Sequence, residues 1–294
     1  MNPLPTLALS TLLLAGPVAQ AAEPAPLVDT IHWVTGHLPT VDEGQRSARL
    51  NDTLVNFMQA QWPQVQHKMV QASAKRGWQM LAQGEQACLA TTVRTPEREA
   101  QAYFSNVLLS PPPQLIVRRD KLAGLPLNGN GEIELQRLLA DPRWSGALID
   151  GRSYGLFVDN LLSRRSPGDE HVALYSAADF GSKLLPMLAL GRADYTIEYE
   201  LMMSGAPDRE RLARSLQNLP IQGASEAVLA GVACPRTSWG LAAITGIDKM
   251  LGTPAGATML RQAQERLMSP ESRRYYGARM DVFYRERARP SVIR

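Results

Sequence analysis

Two short strings hold the side chains best placed for chemistry. In Thr95-Pro96-Glu97-Arg98-Glu99, an arginine sits in a polar turn between a β-rich run, 87–93, and the aromatic run Ala102-Tyr103-Phe104-Ser105. An arginine held there can take a carboxylate through two parallel, charge-assisted N–H···O bonds. A surface ion pair with Glu97 or Glu99 is the plainer alternative. In Gly151-Arg152-Ser153-Tyr154-Gly155, a serine stands where a strand turns into a helix. Exposed N–H groups and the helix dipole favour an anion at such an end, and the serine can also serve as an ordinary N-cap. The string also matches G-x-S-x-G, the nucleophile elbow of α/β-hydrolases. That chemistry needs an acid and then a histidine after the serine. Of the four histidines only His171 follows Ser153, too closely for an acid-bearing strand to intervene. Anion binding is therefore preferred to a serine nucleophile.

No phosphate loop, dinucleotide fingerprint or metal-ligand cluster stands in the chain, so no cofactor and no metal are expected. The formal net charge is +3, with the basic residues dispersed, so nucleic acid is not an expected partner. The one dense basic run, 285–294, reads as a solvated tail. An apolar block at 7–18 followed by Ala19-Gln20-Ala21 reads as a secretory signal peptide over 1–21. The block is short for a membrane span, and no cysteine follows the cleavage site to carry a lipid anchor. Export through the inner membrane makes a disulfide between the two cysteines, Cys88 and Cys234, the favoured reading. Two buried free thiols are the alternative.

These residues need elements to position them. Apolar residues at Leu50, Leu54, Val55, Met58 and Trp62 have helical spacing, and Pro63 stops that helix. With strands at 31–34, 67–70 and 87–93 and a second helix ending at Gly84, the start reads β-α-β-α-β. That is the pattern of a parallel sheet with helical crossovers. Further strands are expected at 114–118, 144–150, 171–175, 191–197 and 228–234. Helices are expected at 132–139, 156–165, 177–190, 207–216 and 239–276, the last broken near Thr253-Pro254 and Ser269-Pro270. The string Leu81-Ala82-Gln83-Gly84 resembles Leu188-Ala189-Leu190-Gly191. Each reads as a helix ending in a glycine that tolerates the left-handed conformation before a strand. The chain thus reads as two lobes of related architecture.

The ordered set Arg94–Glu99, Tyr103-Phe104-Ser105, Leu115–Asp120, Gly151–Gly155, Leu190–Tyr195 and Ala233–Gly240 resembles the family 3 extracellular solute-binding proteins of the bacterial periplasm. The resemblance implies a two-lobed α/β fold of periplasmic-binding-protein type II, each lobe a mostly parallel sheet flanked by helices. Lobe 1 would comprise 27–117 and 222–294, and lobe 2 118–221, hinged by two crossovers. It implies a non-catalytic, monomeric binding protein that delivers a small anionic solute to a membrane transporter or a sensor. Arg98 matches the family's carboxylate-binding arginine, and Ser153 its second anion contact. Thr91 lies in the strand before Arg98, where the family uses small hydroxyl residues, and His37 lies where it presents an aromatic wall. Tyr199 replaces the acidic residue that holds an α-ammonium, and alternation would turn Glu198 and Glu200 away from it, so an amino-acid ligand is not implied. A dehydratase-like enzyme on the same fold, using His37 or Glu198 as acid or base, is the alternative function. An interaction module that has lost its ligand is another.

Overall fold

The computed structural model describes residues 27–36, 49–165, 170–176, 183–204, 206 and 208–293. The expected signal peptide, His37 and residues 177–182 of the helix expected at 177–190 lie outside the described residues.

The first sheet holds β1 (Thr30–Thr35), β2 (Gln66–Gln71), β3 (Ala87–Val93), β4 (Ala102–Ser110) and β10 (Val228–Pro235), in the order β2-β1-β3-β10-β4. The second holds β5 (Gln114–Arg118), β6 (Gly146–Ile149), β7 (Val172–Tyr175), β8 (Tyr195–Glu198) and β9 (Leu216–Pro220), in the order β7-β6-β8-β5-β9. In each sheet four strands run in one direction, and the fifth, β10 in the first sheet and β5 in the second, lies antiparallel to its neighbours. The two orders are the same pattern. The related strings of the sequence occupy matching places within it. Helix α2 (Ala74–Ala82) and helix α6 (Leu184–Ala189) each lead through a glycine at φ 72° into the third strand of the pattern. Gly84 and Gly191 make that turn because a side chain is strained at positive φ.

Alternate strand residues feed opposite faces of each sheet, as the period of two requires. In the second sheet Leu115 and Val117 pack with α4 (Leu135–Ala140) and α5 (Leu156–Ser163), while Ile116 packs with α6 and α8 (Arg209–Ser215). In the first sheet Trp33, Cys88 and Val232 face α1 (Leu50–Gln61), α9 (Ser238–Leu251), α10 (Pro254–Glu265) and α11 (Pro270–Arg287). Val34, Leu89 and Ala233 face α2. Trp33 is fully buried and donates to His67 Nδ1 over 2.9 Å. It belongs to the core of the first sheet.

Cys88 and Cys234 form a disulfide between neighbouring strands β3 and β10, with Cα atoms 4.4 Å apart. The Thr-Pro and Ser-Pro breaks are helix starts. Thr253 caps α10 and Ser269 caps α11, each with proline in the first turn, where its missing N–H costs no hydrogen bond.

Three expectations are corrected. Strand β5 pairs with β8 and β9, so the boundary between sheets falls at Pro111-Pro112-Pro113 and not after Val117. Strand β9 was not foreseen, since Leu216-Gln217-Asn218-Leu219-Pro220 has little strand character of its own. It forms because the edge of β5 requires a backbone partner, and an edge position accommodates Pro220. The basic run at the C-terminus is not all a solvated tail. Arg287, 3% exposed, lies 3.0 Å from Asp248 and donates to the Asn106 carbonyl and Ser105 Oγ. The tail beyond it is held as well, with Ser291 N donating to Asp248.

Candidate functional site

Local sequence sets the position of Arg98. Thr95 caps the one-turn helix α3 (Pro96–Glu99), its Oγ1 accepting from Arg98 N at 3.3 Å. The Arg98 side chain then runs back along β3. Its Nη1 donates to Thr92 Oγ1 at 3.1 Å and to the Val93 carbonyl at 3.0 Å. Its guanidinium lies over the Trp78 ring at 4.8 Å, a cation–π contact that fixes its plane. Nη2 crosses to the other lobe and donates to the Gly151 carbonyl at 3.0 Å. The ion pair that competed with this reading goes elsewhere: Glu99 pairs with Arg94. Three of the five N–H groups of Arg98 are used in these bonds, and two have no partner among the described residues. Burial pulls its pKa down to about 10, against the pull of Asp159. It remains a cation at neutral pH.

Across the cleft, Gly151 has φ 76°, and a Cβ there would lie 3.0 Å from the Lys75 backbone. Only a glycine lets the two lobes approach this closely. Lys75 also pairs with Asp150 at 3.0 Å, and Glu200 on α7 (Glu200–Ser204) accepts from Ser269 N, the start of α11, at 2.9 Å. These contacts join the lobes around a cavity of about 470 Å³, within the range of roughly 300–1,000 Å³ usual for small-molecule sites.

Arg98, Thr91, Ser153 and Tyr199 all line this one cavity. Thr91 Oγ1 donates to its neighbour's carbonyl, Ala90 O, at 2.8 Å. The hydroxyl that holds Arg98 belongs to Thr92, one residue on. Ser153 does not cap a helix. Helix α5 starts at Leu156 behind Gly155, which takes φ 84°. The Ser153 hydroxyl instead donates to Asp159 and accepts from Gly155 N at 3.2 Å. Tyr199 donates to the Ser153 carbonyl at 3.2 Å. His171, the histidine that follows Ser153, is engaged with the Leu139 carbonyl at 3.0 Å. No histidine–serine hydrogen bond occurs among the described residues.

The alternation argument about Glu198 is also corrected. Strand β8 ends at Glu198 and the chain turns into α7, so alternation no longer governs the next residue. Glu198 and Tyr199 both line the cavity. Glu198 is 2% exposed and pairs with Arg152 through Oε2 at 3.0 Å, while its Oε1 has no protein partner. Burial raises its pKa, against the Arg152 charge and a bond from Tyr199 N. Asp159 is raised by burial too, against bonds from Ser153 and Tyr154 N. Sequence reasoning missed Trp78, Thr92 and Asp159 as parts of the site. Trp78 was legible only as a helix residue, because its role is to lie under an arginine twenty positions away in the chain.

No family model matches the chain, and no curated protein resembles it in sequence. Solved structures do. A histidine kinase sensor domain with similarity to periplasmic binding proteins is 14% identical, with a TM-score of 0.61, covering 82% of this chain and 96% of that one. The solute receptor for L-cysteine of Neisseria gonorrhoeae is 14% identical, with a TM-score of 0.56, covering 86% and 92%. A structure described as a putative L-cystine ABC transporter from Listeria monocytogenes is 17% identical, with a TM-score of 0.59, covering 83% of this chain and 97% of that one. With its two like sheets and the cleft between them, the chain has the two-lobed periplasmic-binding-protein fold.

Proposed function

We propose that this protein binds a small carboxylate-bearing solute in the cleft and passes the bound state to a transporter or a sensor after export to the periplasm. Membership of solute-binding family 3 is part of this reading. One observation carries it: Arg98 is a partly buried cation in the cleft, touching both lobes, with two N–H groups that have no partner among the described residues. A carboxylate there would complete the arginine's donor set and tie it to the closure of the lobes. Thr91 and Tyr199 border the same space, and Ser153 supports it through Asp159. Glu198 Oε1 supplies an acceptor for a donor group of the solute, which returns an amine-bearing carboxylate to the candidates that Tyr199 had set aside. His37 stays in the proposal on sequence grounds alone. Delivery to a transporter or sensor rests on the fold and the expected signal peptide.

Thermal-shift screening of carboxylates, amino acids and small peptides tests this. A ligand at about 100 times its Kd stabilises by about 2.7 kcal/mol. Replacing Arg98 with alanine should weaken a carboxylate found this way by about tenfold or more, as loss of a charge-assisted pair requires. An Arg98→Ala protein that binds it unchanged would rule out the assignment.

A further inference from the structure

We propose that the cleft selects carboxylates that carry an apolar chain or ring. This rests on the carboxylate reading of Arg98. Several polar lining residues are tied together around Arg98: Arg98 bonds Gly151, Tyr199 bonds Ser153, and Arg152 pairs with Glu198. Much of the remaining wall is apolar and comes from both lobes. Leu185 and Leu212 belong to the core cluster of the second lobe, and Leu108 and Leu267 to that of the first. Leu201 and Met202 on α7 also line the cavity. Thr35, Arg49, Asn51, Asp52, Ser110 and Asp208 add further polar lining; among them Asp208 is exposed and the Arg49 charge acts on Asp52. A fully hydrophilic solute would leave that apolar wall without a partner, whereas an apolar tail would be removed from water against it.

The test is calorimetric titration of the full chain with acetate, butyrate, hexanoate and octanoate. Affinity should rise by about fourfold for each added CH2 group, the fold-change that corresponds to about 0.8 kcal/mol. Replacing Met202, which is only partly buried, with glutamate should cut the octanoate-to-butyrate ratio by about tenfold. The milder Met202→Gln should lower the ratio in the same direction. Val282→Glu, an exposed apolar site on α11 outside the cleft, serves as the control and should not alter it. Arg98→Ala should weaken every acid by one common factor and leave the slope intact. Binding that ignores chain length overturns the tail proposal and leaves the carboxylate reading standing. If none of the acids binds, the tail proposal falls, and the carboxylate reading is decided separately by the Arg98→Ala test on a ligand found by thermal shift.

Discussion

In the first lobe β3 and β10 are joined by the Cys88–Cys234 bond. In the second lobe the matching strands, β8 and β5, meet through backbone pairing alone, with Tyr195 opposite Val117. The first lobe also fastens its far end with a buried ion pair, Arg287 with Asp248, and a tail residue bonded to the same acid. The second lobe relies on close packing. Tyr195 is fully buried against Gly146, where a Cβ would lie 2.6 Å from the ring. The first lobe is assembled from two distant stretches of chain, so its last strand and last helices must be held to its early part. The second lobe is a single continuous stretch and needs no such fastening. One pattern of strands is therefore stabilised in two ways, and chain connectivity explains which lobe has which.

The comparison can be broken at several points. The largest effect should come from removing the disulfide in a Cys88→Ser, Cys234→Ser protein. Its loop spans a sequence separation of 146, and opening it should cost about 4–5 kcal/mol in the chain-entropy account. Urea unfolding with and without reductant measures this, and no change would mean that packing alone holds the first lobe. Next comes Arg287→Ala, which leaves Asp248 buried without its cation. A loss of about 3–5 kcal/mol is expected, seen as a lower midpoint in the same unfolding experiment. A value near zero would return the C-terminal run to a tail.

A smaller effect is expected in the second lobe. Gly146→Ala drives a methyl group into the Tyr195 ring and should cost about 1–3 kcal/mol, with the disulfide intact. If the second lobe tolerates it freely, its packing is looser than the first lobe's fastenings would suggest. The smallest signal is a pH dependence. Burial raises the Glu198 pKa above its ordinary 4.5, so the folded state binds this proton more readily than the unfolded state. Its contribution to stability is therefore greatest below 4.5 and falls as pH rises through the raised value. Glu198→Gln should remove that component of the pH–stability curve, and a curve identical to the parent's would assign the slope to other groups.

Much of the fold was legible along the chain. The period of 3.6 in α1, the Gly84 and Gly191 stops, and the Ser/Thr-Pro starts of the last helices are local signals, and each marks an element or its end. Strand β9 and the assignment of β5 were not legible. A strand with weak propensity forms only where a neighbouring edge demands it, and a strand's sheet is decided by its partners. The candidate site divides the same way. Arg98 stood out because a Thr-Pro cap and its flanking acids are adjacent in sequence. Trp78, Thr92 and Gly151 joined it through contacts between separate elements, from α2, β3 and the other lobe.

By itself the sequence determined the kinds of element, their order, the related halves and the one arginine placed for an anion. These follow from local backbone preference and apolar periodicity, which act over a few residues. Only the tertiary structure decided that Arg98 reaches Gly151, that Glu198 lines the cleft beside Tyr199, and that apolar side chains from both lobes complete the lining. Those outcomes depend on which distant surfaces pack together, and packing is a property of the whole chain.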